Sequence, residues 1–344
     1  MRRLISVPGF VLLGVALVVL APLWLPVVLV LDVIRAPRRF PHTRLMGFAL
    51  WWAWLELTGL AVAGWLFVCG RVRDEAAHFA LQRWWANGLV AGLRLTCGLV
   101  LEPRDTHVVG PGPVIVLSRH ASLADALLSV WFVTQPGMKP HYVLKRELLV
   151  DPCLDIVGNR LPNHFLDRTA ADSGPQLAAI RSIAAAANGP DRCVVIFPEG
   201  TRASPEKHAR ALARLAARDP ARASRLGGLR HLNPPRPAGT LAVLDGAPTA
   251  DVVLMWHAGF EGLDTFRGIL AAIPGRVPVI VDCVRIPRAE VPDGDGARTA
   301  WLDAQWLALD ERVDRLLAER AAREAGDARP GRTTRVGEDV GAAS

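Results

Sequence analysis

Val114-Ile115-Val116-Leu117-Ser118-Arg119-His120-Ala121-Ser122-Leu123-Ala124-Asp125 is the stretch on which the reading of this chain turns. Four consecutive apolar residues, preceded by Gly112-Pro113 and followed by Ser118-Arg119-His120, predict a buried strand that ends at the histidine. Leu123 to Phe132 then reads as a helix. His120 and Asp125 are about 500° apart on a continuous helix at roughly 100° per residue, which would aim their side chains about 140° apart. They meet only if His120 stays on the turn and Asp125 sits in the first turn of the helix. Ser122 to Asp125 also has the pattern of an N-terminal cap, with Ser122 at the cap, so Asp125 has a structural use as well as a chemical one. In the chemical use, His120 takes a proton from a hydroxyl while Asp125 accepts the other ring N–H and fixes the tautomer.

A second buried run, Cys193 to Phe197, opens Phe197-Pro198-Glu199-Gly200-Thr201-Arg202. Gly200 permits a tight turn. Glu199 and Arg202 there form either a local surface ion pair, worth at most about 1 kcal/mol, or a site in which the planar Arg202 fork holds a phosphate and Glu199 orients the acceptor. Further strands are expected at Tyr142 to Leu144, Val252 to Trp256 and Val277 to Val284, and helices at Arg71 to Leu101, Gly174 to Ala187 and Ala297 to Arg323. Strands separated by helix-sized segments predict an α/β domain, a mixed sheet flanked by helices. No G-x-S-x-G elbow occurs, so no serine intermediate is indicated and the hydroxyl attacks a thioester directly.

The first seventy residues are of another kind. Leu4 to Leu31 carries no charged side chain and exceeds the roughly 7–15 residues of a signal-peptide core, while Pro22 and Pro26 predict a kink or a re-entrant bend. Leu45 to Gly70 is a second apolar stretch, interrupted by Glu56 and rich in tryptophan. The connector's Arg35, Arg38, Arg39 and Arg44 assign it to the cytoplasm. Two full spans would then separate the later residues from thioesters made in the cytoplasm. The expectation is therefore a hydrophobic helical membrane anchor over 1–70, entering one leaflet from the cytoplasmic side and returning. A catalytic domain follows over 71–323 on the cytoplasmic face of the inner membrane, and 324–344 is a disordered tail.

The net charge of +7 is concentrated. Residues 203–236, with Arg202, hold nine Lys/Arg, and Lys207, Arg210, Arg214, Arg218 and Arg222 recur at helical spacing, which would put them on one face. That face is solvated, or it meets anionic headgroups, the phosphates of coenzyme A, or an acidic carrier protein. Aromatic residues are not interleaved with these arginines, which argues against nucleic acid. The histidines show no metal-ligand spacing and no metal is implied. Five scattered cysteines read as reduced thiols. Oligomeric state is not legible.

The sequence resembles the glycerolipid acyltransferase family, typified by 1-acylglycerol-3-phosphate acyltransferases. His120 and Asp125 match its H-x-x-x-x-D motif, residues 197–202 match its F-P-E-G-T-R motif in full, and Gly158 with Phe165 to Arg168 matches its second motif loosely. The resemblance implies a glycerol-3-phosphate acyltransferase-like fold, His120 and Asp125 as catalytic residues, and a glycerophosphate site at Arg168, Glu199, Gly200, Thr201 and Arg202. It implies acyl-coenzyme A or acyl carrier protein as co-substrate, no other cofactor, and lysophosphatidic acid as the first acceptor, with phosphatidic acid as product. Another lysophospholipid or glycolipid acceptor, or thioester hydrolysis by the same pair, are the alternatives. Arg119 departs from the asparagine common before the family's histidine. The fourth, proline-containing motif has two candidates, at 247–249 and 277–280.

Overall fold

The computed structural model describes residues 2–122, 124–166, 174–263 and 265–327. Four helices come first: α1 (Arg2–Val19), α2 (Ala21–Arg35), α3 (Pro41–Val68) and α4 (Glu75–Cys97). Then follow β1 (Leu101–Pro103), β2 (Val114–Ser118), α5 (Asp125–Thr134), β3 (Lys139–Lys145), α6 (Pro152–Gly158), β4 (His164–Leu166), α7 (Gly174–Ala186) and β5 (Arg192–Ile196). The remainder is α8 (Pro205–Arg218), α9 (Pro220–Leu226), α10 (Pro237–Gly246), β6 (Asp251–Ala258), α11 (Phe266–Ala272), β7 (Val279–Ile286) and α12 (Asp295–Asp327).

The strands form one mixed sheet in the order β1-β7-β6-β2-β5-β3-β4, parallel from β6 to β4, with β7 antiparallel to β6. Strand β2 is buried at all five positions. Ile115 and Leu117 enter one core with Trp306 of α12 and Val243 of α10, and Val114 and Val116 enter the other with Phe132 of α5 and Val90 of α4. Burial on both faces is why the run is uniformly apolar rather than alternating. Because β2, β5 and β6 are parallel neighbours, their C-terminal ends share one edge of the sheet, and there the sequence changes from apolar to polar at His120, Glu199 and His257.

Two local expectations are corrected. Helix α5 begins at Asp125, not at a Ser122 cap; the Ser122 hydroxyl instead accepts from Ala124 N at 3.0 Å and donates to Asp125 Oδ1 at 2.7 Å. The basic insert is two helices, not one. Pro220 lacks the N–H that would continue α8, and Asp219 caps α9 by accepting from Arg222 N. The break turns Arg222 inward, where its guanidinium grips buried Asp303 at 2.7–3.1 Å, so it leaves the exposed row of Arg210, Arg214 and Arg218. The last helix runs to Asp327, four residues beyond its expected end; the rest of the expected disordered tail lies outside the described residues.

Helices α1 and α2 meet at a bend of 67°, with Pro22 at the start of α2. By length and composition α3 is the one described helix that could cross a membrane unaided, and α1 with α2 would qualify only as a bent pair. Leu4, Leu12, Leu23, Ile34, Trp65 and Val68 are each at least 68% exposed. Exposed apolar side chains in that number are compatible with a membrane anchor. The opposite side of α3 is fastened to α4: a Cβ on Gly92 would lie 2.2 Å from the Trp51 ring, and Trp51 Nε1 donates to Gly88 O at 2.8 Å. Glu56 is fully buried; its Oε1 accepts from Trp85 Nε1 at 2.7 Å, and its Oε2 has no hydrogen-bond partner among the described residues.

Candidate active site

His120 stands two residues beyond β2 and is anchored through its backbone. Its N–H donates to Glu199 Oε1 at 2.8 Å, and its carbonyl accepts from Ala203 N at 2.8 Å. The ring lies 4.8 Å from that of Phe197 and its Nδ1 is 3.0 Å from Asp125 Oδ2. With Nδ1 engaged by a carboxylate, the basic nitrogen is Nε2. The side chain is 14% exposed whereas that of Asp125 is 0% exposed, so solvent reaches the imidazole and not the acid.

Asp125 is the most heavily bonded carboxylate of the site. Oδ2 also accepts from Ala121 N at 2.5 Å and Ser122 N at 2.7 Å. Burial alone would raise its pKa, but His257, whose Nε2 lies 3.1 Å from Oδ1, together with the His120 and Ser122 contacts, holds it well below the usual carboxylate range. Asp125 thus closes the 120–122 turn and at the same time meets the His120 ring.

The turn after β5 brings Glu199, Gly200, Thr201 and Arg202 beside His120. Glu199 is 1% exposed, and its two oxygens accept from the backbone N–H of His120 and of Asn233, at 2.8 and 2.9 Å. It thus holds two loops together, and both oxygens expected to orient an acceptor are turned to the backbone. Burial pushes its pKa up to about 8, against the opposing pull of the Asn233 and His120 amides and of Arg119. Gly200 has φ +67°, and a Cβ there would approach Arg236 Cδ to 3.1 Å. Thr201 O accepts from Asn233 Nδ2 at 3.3 Å. Arg202 is half-buried, and among the described residues neither Arg202 nor Arg236 has a carboxylate within ion-pair distance. Arg236 joins the site from sequence distance, held by its N–H to Pro198 O at 2.8 Å. Arg168 lies outside the described residues.

Arg119 and His257 had no role assigned from sequence. Arg119 is 2% exposed, its guanidinium bonded to the His257 carbonyl and, at 2.7 Å, to Glu261 Oε1. An apolar pocket lies against α5 immediately past Asp125, walled by Leu81, Leu127, Val130, Leu144, Leu161 and Cys153. Burial raises the Cys153 thiol pKa, keeping it neutral.

A carboxylate-paired imidazole, a turn whose Arg202 has no carboxylate partner among the described residues and an adjoining apolar pocket on an α/β sheet suit acyl transfer. Residues 102–219 match the family described as Acyltransferase, a span that contains His120, Asp125 and the whole 197–202 turn. On that match, residues 102–219 form an acyltransferase domain, and the motifs at His120, Asp125 and 197–202 lie within it. Among solved structures, it is similar to the 1-acyl-sn-glycerophosphate (LPA) acyltransferase PlsC from Thermotoga maritima, at 15% identity and TM-score 0.42, over 81% of this chain and 97% of that one. No curated protein matches the chain.

Proposed function

We propose that this protein transfers a fatty acyl group from a thioester, acyl-coenzyme A or acyl carrier protein, to the free hydroxyl of a lysophospholipid. Lysophosphatidic acid is the acceptor that fits a phosphate site best, and the product is then phosphatidic acid. The observation that carries the reading is the pairing of His120 and Asp125 beside a turn whose Arg202 has no described carboxylate partner. His120 Nε2 takes the hydroxyl proton as the oxygen attacks the thioester carbon. The C–S bond of the tetrahedral intermediate then breaks, and the imidazolium returns the proton to the departing thiolate. Arg202, with Arg236 beside it, binds the phosphate through charge-assisted hydrogen bonds. The apolar pocket beside α5 takes acyl chain.

Contacts of the anchor support the one-leaflet arrangement on the cytoplasmic face. Arg3, at the start of α1, pairs with Asp155 of α6 at 3.1 Å, and after α2 Arg39 donates to the Ile273 carbonyl at 2.8–3.1 Å. Both ends of the bent pair thus return to the catalytic domain, so the chain need not pass through the bilayer to connect them. The exposed basic row on α8 is a surface for anionic headgroups or an acidic acyl carrier.

The test is product analysis with labelled acyl thioester and a panel of lysophospholipids. Esterified lipid formed by the wild-type protein and abolished in His120→Ala bears the reading out, with Arg202→Ala raising the KM for phosphate-bearing acceptors. Free fatty acid as the sole product would convert the assignment to a thioesterase.

A further inference from the structure

Asp125 is bracketed by two imidazoles. Oδ2 faces His120 Nδ1 at 3.0 Å, and Oδ1 lies 3.1 Å from Nε2 of His257, one residue before the end of β6. Both Asp125 and His257 are fully buried. The His257 ring meets the carboxylate at ion-pair distance without full hydrogen-bond geometry, and it lowers the Asp125 pKa. Nδ1 of His257 has no hydrogen-bond partner among the described residues. Nε2 is the ring nitrogen that faces a carboxylate, so the geometry places a ring N–H on Nε2, toward Asp125. Arg119 holds the arrangement by clamping the His257 carbonyl to Glu261, whose other oxygen accepts from Gly259 N at 2.6 Å. Residue 119 directly precedes the base, so this lacing ties the end of β6 to the turn that carries His120.

We infer that His257 is a positioning residue for the transfer: acting through Asp125, it fixes the orientation of His120 and moderates its basicity without touching substrate. The inference rests on the reading of His120 as general base. A carboxylate that shares its charge with a second donor stabilises the His120 imidazolium less than one whose charge is directed at His120 alone. Among the described residues, the other charged groups facing this cluster are Glu199 from the turn after β5, with Arg119 and Glu261 behind His257. Phe260 and Phe197 pack against the two rings and contribute no charge.

The experiment compares His257→Leu with His257→Gln, whose amide restores a donor to Asp125. In the leucine protein the acidic limb of kcat/KM against pH moves up by about half a unit or more and kcat falls roughly tenfold, with acceptor KM unchanged. In the glutamine protein the limb returns toward wild type. A folded leucine protein whose acidic limb does not move, or a glutamine protein no better than leucine, overturns the role. Should the leucine protein not fold, 15N NMR of ring-labelled wild type decides: a proton on Nε2 of His257 supports the assignment, and one on Nδ1 overturns it. Full activity in His120→Ala would instead strike the underlying base assignment, so the two failures are distinguishable.

Discussion

Asp125→Asn separates charge from shape at the centre of the site. The amide oxygen can occupy the place of Oδ2 and keep the donors His120 Nδ1, Ala121 N and Ser122 N, while the NH2 group faces the Ser122 hydroxyl, which can rotate to accept, and His257 Nε2, which accepts from it once the His257 proton moves to Nδ1. What is lost is the negative charge beside the imidazolium that forms in the transition state. With charge centres about 4 Å apart and an effective dielectric of about 20, that attraction is roughly 4 kcal/mol. A retained neutral hydrogen bond of about 1 kcal/mol leaves a loss near 3 kcal/mol, or about a hundredfold in kcat. The assay is initial-rate acyl transfer at saturating acceptor, with circular dichroism as the control for folding. Stability adds a second signature. The Asp125 pKa is depressed in the folded state, so the carboxylate contributes stability above its unfolded value near 3.8 that is lost as pH falls below it. The asparagine protein is therefore less stable than wild type at neutral pH, and the difference shrinks in acid. A folded Asp125→Asn protein with kcat within threefold of wild type would refute the dependence of His120 on this charge.

Glu199→Gln tests the buried carboxyl that joins the His120 and Asn233 loops. Its folded pKa, raised from 4.5 to about 8, means a stabilising contribution fully present below about pH 4.5 and lost as pH rises through 8. The glutamine protein should accordingly show a flatter melting temperature between those limits; parallel wild-type and variant profiles would count against it. Leu144→Trp narrows the apolar pocket and should shift donor preference toward shorter acyl chains by about tenfold, read in competition between two thioesters of different length. An unchanged ratio would remove the pocket from the acyl path.

Central strands of the sheet were legible because burial on both faces leaves uniformly apolar runs, and Val114 to Leu117, Cys193 to Ile196 and Val252 to Trp256 have no other way to be satisfied. The three-residue edge strands β1 and β4 were not, since so short a segment has no period to read and forms only when a neighbour supplies its hydrogen bonds. His120, Asp125 and the 197–202 turn were legible for a local reason: each pair of groups that must cooperate lies on one turn. Asn233, Arg236 and His257 reach the site only through the fold. The one available signal for His257 was its position, a polar residue directly after an apolar run that could be parallel to the strand ending at His120. Arg222 fails in the opposite direction. Its spacing matched Arg210, Arg214 and Arg218, yet Pro220 reset the helix and delivered it to Asp303, so periodicity placed a structural cation among surface ones. Both cases have the same origin. Helical and strand periods constrain neighbours in sequence, whereas the electrostatics of this site are set where three parallel strands end together, and Arg119, buried and bonded to Glu261 beyond β6, belongs to that edge rather than to its own segment.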